Sequence, residues 1–198
     1  MNCVLRKCVY ALLGIFIPIV SSFAKENVDA NATSPKNQFQ WQEHSKLTWD
    51  DFKGAVNTTH NESAAATFCS IGFKTGPALA GTDPEIIVYN TFYVNKSWVR
   101  SDARIQSILD HEQGHFDLCE IYTRKLKQRI GSLDLKLPDA KQALMRIYSE
   151  VSNEYEMRQQ AYEQETTHGT NISEQKKWQD AIAAELNIKE LPPSIALL

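Results

Sequence analysis

The apolar positions of this chain change period once, near Ser101. Beyond it, Ile105, Ile108, Leu109, Phe116, Ile121, Tyr122 and Leu126 recur at helical spacing as far as Gly131, a stop signal, and predict one long helix. A second stripe of Leu144, Ile147, Tyr148, Val151, Tyr155 and Tyr162 predicts a second helix, opened by Pro138 and ending near His168-Gly169. Ser173 is placed to cap a third, which holds Trp178, Ile182 and Leu186 before Leu191-Pro192-Pro193 ends regular structure. Ahead of Ser101 the pattern is that of strands. Residues alternate from Ala65 to Phe73, with Cys69, Ile71 and Phe73 on one face. Ile86 to Val94 is rich in β-branched and aromatic residues, after a turn at Gly81-Thr82-Asp83-Pro84. These two segments are expected to pair antiparallel. Phe39 to Trp49 suits one or two strands, Asp50 to Gly54 reads as a turn, and Asn57 to Ser63 as a polar loop. The expected fold class is α+β: a small antiparallel sheet followed by a helical part, as a single domain over residues 38–190.

The ends read differently. Arg6 and Lys7, the apolar stretch Val9 to Val20 and the small residues of Ser22-Phe23-Ala24 make residues 1–24 a signal peptide. The apolar stretch is shorter than the roughly 20 residues that span a bilayer. Residues 25–37 read as a disordered lead-in and 191–198 as a tail. The expectation is an exported protein, secreted or periplasmic, with no membrane association after signal removal. Losing the signal peptide takes the net charge from −3 to about −5. No basic stripe remains, which argues against nucleic acid as a partner. Cys69 and Cys119 would be the mature cysteines, and an oxidising compartment favours a disulfide tying a strand to the first helix. Two buried thiols are the alternative. Cys119 as a metal ligand is disfavoured, because it lies a turn further along the helix and points past the metal.

The chemistry sits in His111-Glu112-Gln113-Gly114-His115, an HExxH motif inside the first predicted helix. Residues four apart share a helix face, so His111 and His115 can aim two imidazole nitrogens at one zinc ion. Glu112 follows the first ligand directly and can act as general base toward a water whose pKa the metal lowers. The bland alternative is a helix with solvated histidines and a solvated glutamate.

A catalytic zinc takes three protein ligands. The metzincin continuation is excluded, because Leu118 and Ile121 stand where it needs Gly and His. The candidates for the third ligand are then Glu150, Glu154, Glu165 and His168. His168 is preferred, since imidazole suits zinc and the expected helix end before Gly169 lets the side chain bend toward the first helix. Glu165 comes next, as His₂Glu sites are common. Tyr162 is a candidate oxyanion donor, with a plain core or rim tyrosine as the alternative. Asp117 and Asp110 are candidate acceptors for a ligand's other ring nitrogen. His44 and His60 lack ligand spacing and read as surface residues.

Three stretches are similar to one family. Leu47-Thr48-Trp49-Asp50-Asp51-Phe52-Lys53-Gly54, His111-Glu112-Gln113-Gly114-His115-Phe116-Asp117, and Tyr162, Thr166, His168 and Gly169 resemble an uncharacterised bacterial family of predicted secreted zinc-dependent proteases. In that family an aspartate usually follows the tyrosine, whereas Glu163 stands here, a mild departure that touches no proposed ligand. The resemblance implies a zincin-like fold and peptidase activity on a protein or peptide substrate. The expectation is a zinc metallopeptidase with His111, His115 and His168 as ligands and Glu112 and Tyr162 as catalytic groups. An exported non-catalytic zinc-binding or interaction protein, and a hydrolase of non-peptide amides such as those of the cell wall, are the alternatives.

Overall fold

The computed structural model describes residues 37–41, 46–57, 63–76 and 85–187. The signal peptide, residues 25–36 of the lead-in, the turn at Gly81 to Pro84, the C-terminal tail, His44 and His60 lie outside the described residues.

The described part is α+β. Its strands are β1 (Gln38–Phe39), β2 (Ala65–Ala66), β3 (Cys69–Thr75), β4 (Ile86–Tyr93) and β5 (Trp98–Val99). Its helices are α1 (Gln106–Gly131), α2 (Ala140–Thr166) and α3 (Ile172–Asn187). β3 and β4 pair antiparallel from Cys69 opposite Phe92 to Thr75 opposite Ile86, as their patterning predicts. β1 adds to the other edge of β4, giving the order β1-β4-β3, and β2 and β5 form a separate antiparallel pair. Among the described residues of Phe39 to Trp49, only the end of β1 is strand. Trp49–Asp51 is instead a turn of 3-10 helix, closed where Asp51 Oδ2 accepts from the Thr48 backbone N–H at 2.8 Å and from its hydroxyl at 3.0 Å.

α1 packs on β3 and β4 on one side and against α2 and α3 on the other. Its apolar anchors Phe116, Leu118, Ile121 and Leu126 are buried, and Phe116 meets Phe92 and Phe39 edge-on at 5.3 and 5.9 Å between ring centroids. Ile105 departs from the expected stripe. It is the residue before the helix and is exposed. α1 also buries a polar set, His111, Glu112, Gln113, Asp117 and Thr123, which an ordinary amphipathic helix would turn to water. Buried polar groups need partners. Gln113 has them: Oε1 accepts from Leu47 N at 2.7 Å, and Nε2 donates to Asp117 Oδ1 at 2.7 Å. Asp117 accepts in addition from Trp41 Nε1 at 2.8 Å. The N-terminal segment is thereby pinned to α1 through polar contacts.

α2 and α3 are joined by a tight turn. Thr167, His168 and Gly169 follow one another at φ +50°, +55° and +77°, the left-handed region that costs L-residues strain. The turn is held by His168 N donating to Glu163 O at 3.0 Å, Asn171 N to Thr166 O at 2.8 Å and Gly169 N to Thr166 Oγ1 at 3.2 Å. Asn171, not Ser173, supplies the side-chain cap of α3, its Oδ1 accepting from Glu174 N at 3.3 Å. Among the described residues, no helix is long and apolar enough to cross a membrane.

Candidate metal centre

The turn preference of the α-helix brings His111 and His115 together on the face of α1 that meets α2. Their Nε2 atoms are 3.2 Å apart. His111 is buried and His115 half-buried, so the reading of a solvated histidine pair does not hold. The third group is Glu163 of α2. Its carboxylate straddles the imidazoles, with Oε2 at 3.3 Å from His111 Nε2 and Oε1 at 3.5 Å from His115 Nε2. Among the described residues, His111, His115 and Glu163 form a group that could hold a metal ion. Ligand atoms set tetrahedrally at about 2.0–2.2 Å from a metal stand about 3.3–3.5 Å apart. The observed separations are close to that size, with one carboxylate oxygen facing each imidazole.

Glu163 is not among the sequence candidates for the third ligand, and its departure from the family pattern touches none of them. The structure corrects that: Glu163 is the carboxylate of the cluster. A signal for it existed. Tyr155, Gln159 and Glu163 follow at intervals of four on α2 and continue the stripe of the core as a polar one. His168 stands beside the cluster rather than in it, half exposed, with Nδ1 at 2.9 Å from Glu163 Oε2. Glu165 is turned away, its Oε2 accepting from Trp178 Nε1 at 2.8 Å. Glu154 pairs with Arg129 at 2.8 Å, and Glu150 is exposed.

Electrostatics bind the three groups into one unit. Burial would depress the His115 imidazole, but contact with Glu163 and the charges of Glu163 and Glu112 outweigh it and push the pKa up to about 9. Burial would likewise raise the Glu163 carboxyl, and the two facing imidazoles instead hold it well below the usual carboxylate range. Near neutral pH His115 thus stays protonated beside the Glu163 carboxylate. Glu112 is buried, and its Oε2 has no hydrogen-bond partner. Orphaned carboxylate oxygens in an interior are costly, and such groups point to a missing ion or water.

Tyr162 lies under the site. Its ring stacks on His111 with 4.7 Å between centroids, and the residue is fully buried. Its hydroxyl donates to the His111 carbonyl at 3.1 Å and accepts from Gln175 Nε2 at 2.8 Å. Burial pushes its pKa up. With its one hydrogen committed to the backbone of α1, the phenol works here as a brace, and no hydrogen is left over for an oxyanion.

The partners of the outer ring nitrogens are also different from expectation. Asp117 is occupied by Trp41 and Gln113, and Asp110 by Gln106 at 2.7 Å. Two glutamines take the role: Gln175 Oε1 lies 3.0 Å from His111 Nδ1, and Gln159 Oε1 lies 2.5 Å from His115 Nδ1. Gly169 closes the site from the turn, since a Cβ there would come within 2.9 Å of His111 Cβ and Cγ.

Cys69 and Cys119 are free thiols, not the expected disulfide. Cys69 Sγ lies 3.2 Å from Tyr155 Oη, and neither cysteine enters the metal group.

Residues 90–169 match the model of a family described as "Bacterial protein of unknown function (DUF922)". The resemblance to an uncharacterised bacterial family is thereby confirmed over the segment that carries the metal cluster. No curated protein and no solved structure matches this chain.

Proposed function

We propose that this protein is an exported zinc-dependent hydrolase acting on peptide bonds. The observation that carries the reading is the convergence of His111, His115 and Glu163 beside a buried Glu112 with an unpartnered oxygen. Two imidazoles and one carboxylate are a donor set used by catalytic zinc sites, and imidazole disfavours magnesium or calcium. Zinc held by His111, His115 and Glu163 would supply a Lewis acid and would acidify a water beside Glu112. Glu112 takes up a proton on its free Oε2 and returns it to the leaving amine, the part of general base and then general acid. Glu163 and the two histidines hold position, and Tyr162 stiffens the α1 backbone behind them. The signal-like N-terminus supports export to the periplasm or medium.

A second reading has one observation in its favour. His168 stands close enough to Glu163 that four protein donors gather at one place, as in a structural site. On that reading the protein binds zinc without catalysis. The test is zinc content together with hydrolysis of a mixed peptide library by the mature chain and by Glu112→Gln. One zinc per chain with cleavage that depends on Glu112 supports the enzyme; one zinc with no cleavage by the wild type favours the structural site.

A further inference from the structure

We propose that Gln159 and Gln175 hold the hydrogen on Nδ1 of His115 and His111, so that Nε2, the nitrogen facing Glu163, is the one each ring gives up to an ion. This deepens the metal-site reading and rests on it. The argument turns on what each amide group can face. Gln159 Nε2 lies 2.9 Å from the His115 carbonyl and 3.0 Å from Tyr155 Oη. A carbonyl only accepts, so the amide group facing it must be NH₂. The other end of the same amide, the oxygen, is then the atom at 2.5 Å from His115 Nδ1. An amide oxygen only accepts, so Nδ1 must carry the hydrogen, and in the neutral ring Nε2 is bare.

The His111 side repeats the logic with different parts. Tyr162 has one hydrogen, and it goes to the His111 carbonyl at 3.1 Å. Its oxygen must therefore accept from Gln175, which places NH₂ at 2.8 Å from Oη and leaves Oε1 at 3.0 Å from Nδ1. In both cases the glutamine reads the backbone carbonyl of the histidine it orients, directly or through Tyr162. The carbonyl direction of α1 is thus translated into a ring tautomer. Gln175 is on α3, beyond the matched segment 90–169, so the third helix contributes a positioning residue to the site. Outer partners of metal-bound histidines fix tautomer and ring orientation and are worth roughly 10–100-fold in affinity.

The test has two arms, both on the full mature chain. In the first, long-range ¹H–¹⁵N correlation of ¹⁵N-histidine protein reads which ring nitrogens carry hydrogen, without added metal and with Zn²⁺. Nδ1 of His111 and of His115 should carry hydrogen in both states, and Nε2 should show the metal-bound shift with Zn²⁺. A bare or metal-bound Nδ1 on either ring overturns the proposal. In the second arm, Zn²⁺ affinity is measured for Gln175→Met and Gln175→Glu. Gln175→Met, which fills the space without an acceptor, should bind roughly 10–100-fold more weakly, and Gln175→Glu, which keeps an acceptor, should recover most of that loss. Unchanged affinity in Gln175→Met overturns the proposal. Should that variant not fold, Gln159→Met, at a half-buried position, makes the same test on His115. A wild-type chain that takes up no Zn²⁺ sinks the metal reading itself, and the metal-free spectrum still decides the tautomer.

Discussion

The hydroxyl end of Tyr162 occupies the space that a Cβ on residue 114 would need. Such an atom would sit 2.7 Å from Tyr162 Cζ and 3.1 Å from Cε1, with Oη closer still. Gly114 is thus what lets α2 approach the HExxH turn of α1. Gly114→Ala sets two effects against each other. Alanine in a helix interior gains up to about 1 kcal/mol over glycine, while overpacking a filled site costs about 1–3 kcal/mol or more. The clash involves a ring braced by two hydrogen bonds, so the cost should win. Gly114→Ala is expected to lower the melting temperature and to weaken metal binding, as checked by thermal unfolding and metal titration. A variant as stable as wild type with unchanged affinity would show that Tyr162 can move at little cost.

The identity of the third ligand is open to a direct comparison. Glu163→Ala should weaken Zn²⁺ binding beyond the roughly 10–100-fold typical of an outer partner, His168→Ala should cost less, and Glu165→Ala close to nothing. Titration with a competing chelator gives the order. If His168→Ala is the most damaging, the imidazole swings into the site when metal enters and Glu163 becomes its support.

Glu112→Gln keeps the shape and removes the base. Hydrolysis should fall by about two orders of magnitude or more, with zinc content and melting temperature near wild type. A variant that still cleaves whatever peptide the wild type cleaves would rule out Glu112 as the proton acceptor.

The metal-free and metal-loaded proteins should respond oppositely to alkali. His115 has a folded pKa of about 9, above its ordinary 6.5. Its pairing with Glu163 therefore stabilises the metal-free fold fully below pH 6.5, and that contribution is lost as pH rises through about 9. Glu163 is depressed below its ordinary 4.5, so its contribution is present above that pH and is lost in acid. Metal binding displaces the imidazole protons, so affinity should rise over the same alkaline range. Melting curves between pH 5 and 9, with chelator and with Zn²⁺, should show the metal-free midpoint falling toward pH 9 while the increment from Zn²⁺ grows. Parallel curves would mean that His115 does not exchange its proton for the ion.

The legible part of this site was the part written within one element. His111, Glu112 and His115 follow from the i, i+4 rule on a helix whose period was clear, and the β3–β4 pairing followed from alternation. Glu163 escaped because its contact with α1 depends on the crossing of two helices, and helical spacing alone does not fix where they cross. His168 drew attention as the better zinc donor, yet the left-handed turn leaves it half exposed at the rim. Asp117 and Asp110 were reasonable acceptors by charge. The glutamines won because their amides donate to one acceptor, the His115 carbonyl for Gln159 and the Tyr162 hydroxyl for Gln175, while accepting from a ring nitrogen, which a carboxylate cannot do. Asn171 displaced Ser173 as the cap because α2 ends at Thr166, ahead of the expected stop near His168-Gly169, and α3 starts correspondingly early at Ile172.

The contribution of α3 bears on how this fold can be divided. The matched segment starts within β4 and stops at Gly169, so it leaves β3, most of the pairing surface of the sheet, on one side and Gln175, Trp178 and Ile182 on the other. Cut out alone, residues 90–169 would bare the apolar faces of α1 and α2 to water and strip Tyr162 of its amide donor. A gene fragment trimmed to the matched segment is therefore expected to fold less stably than one running from β1 to the end of α3.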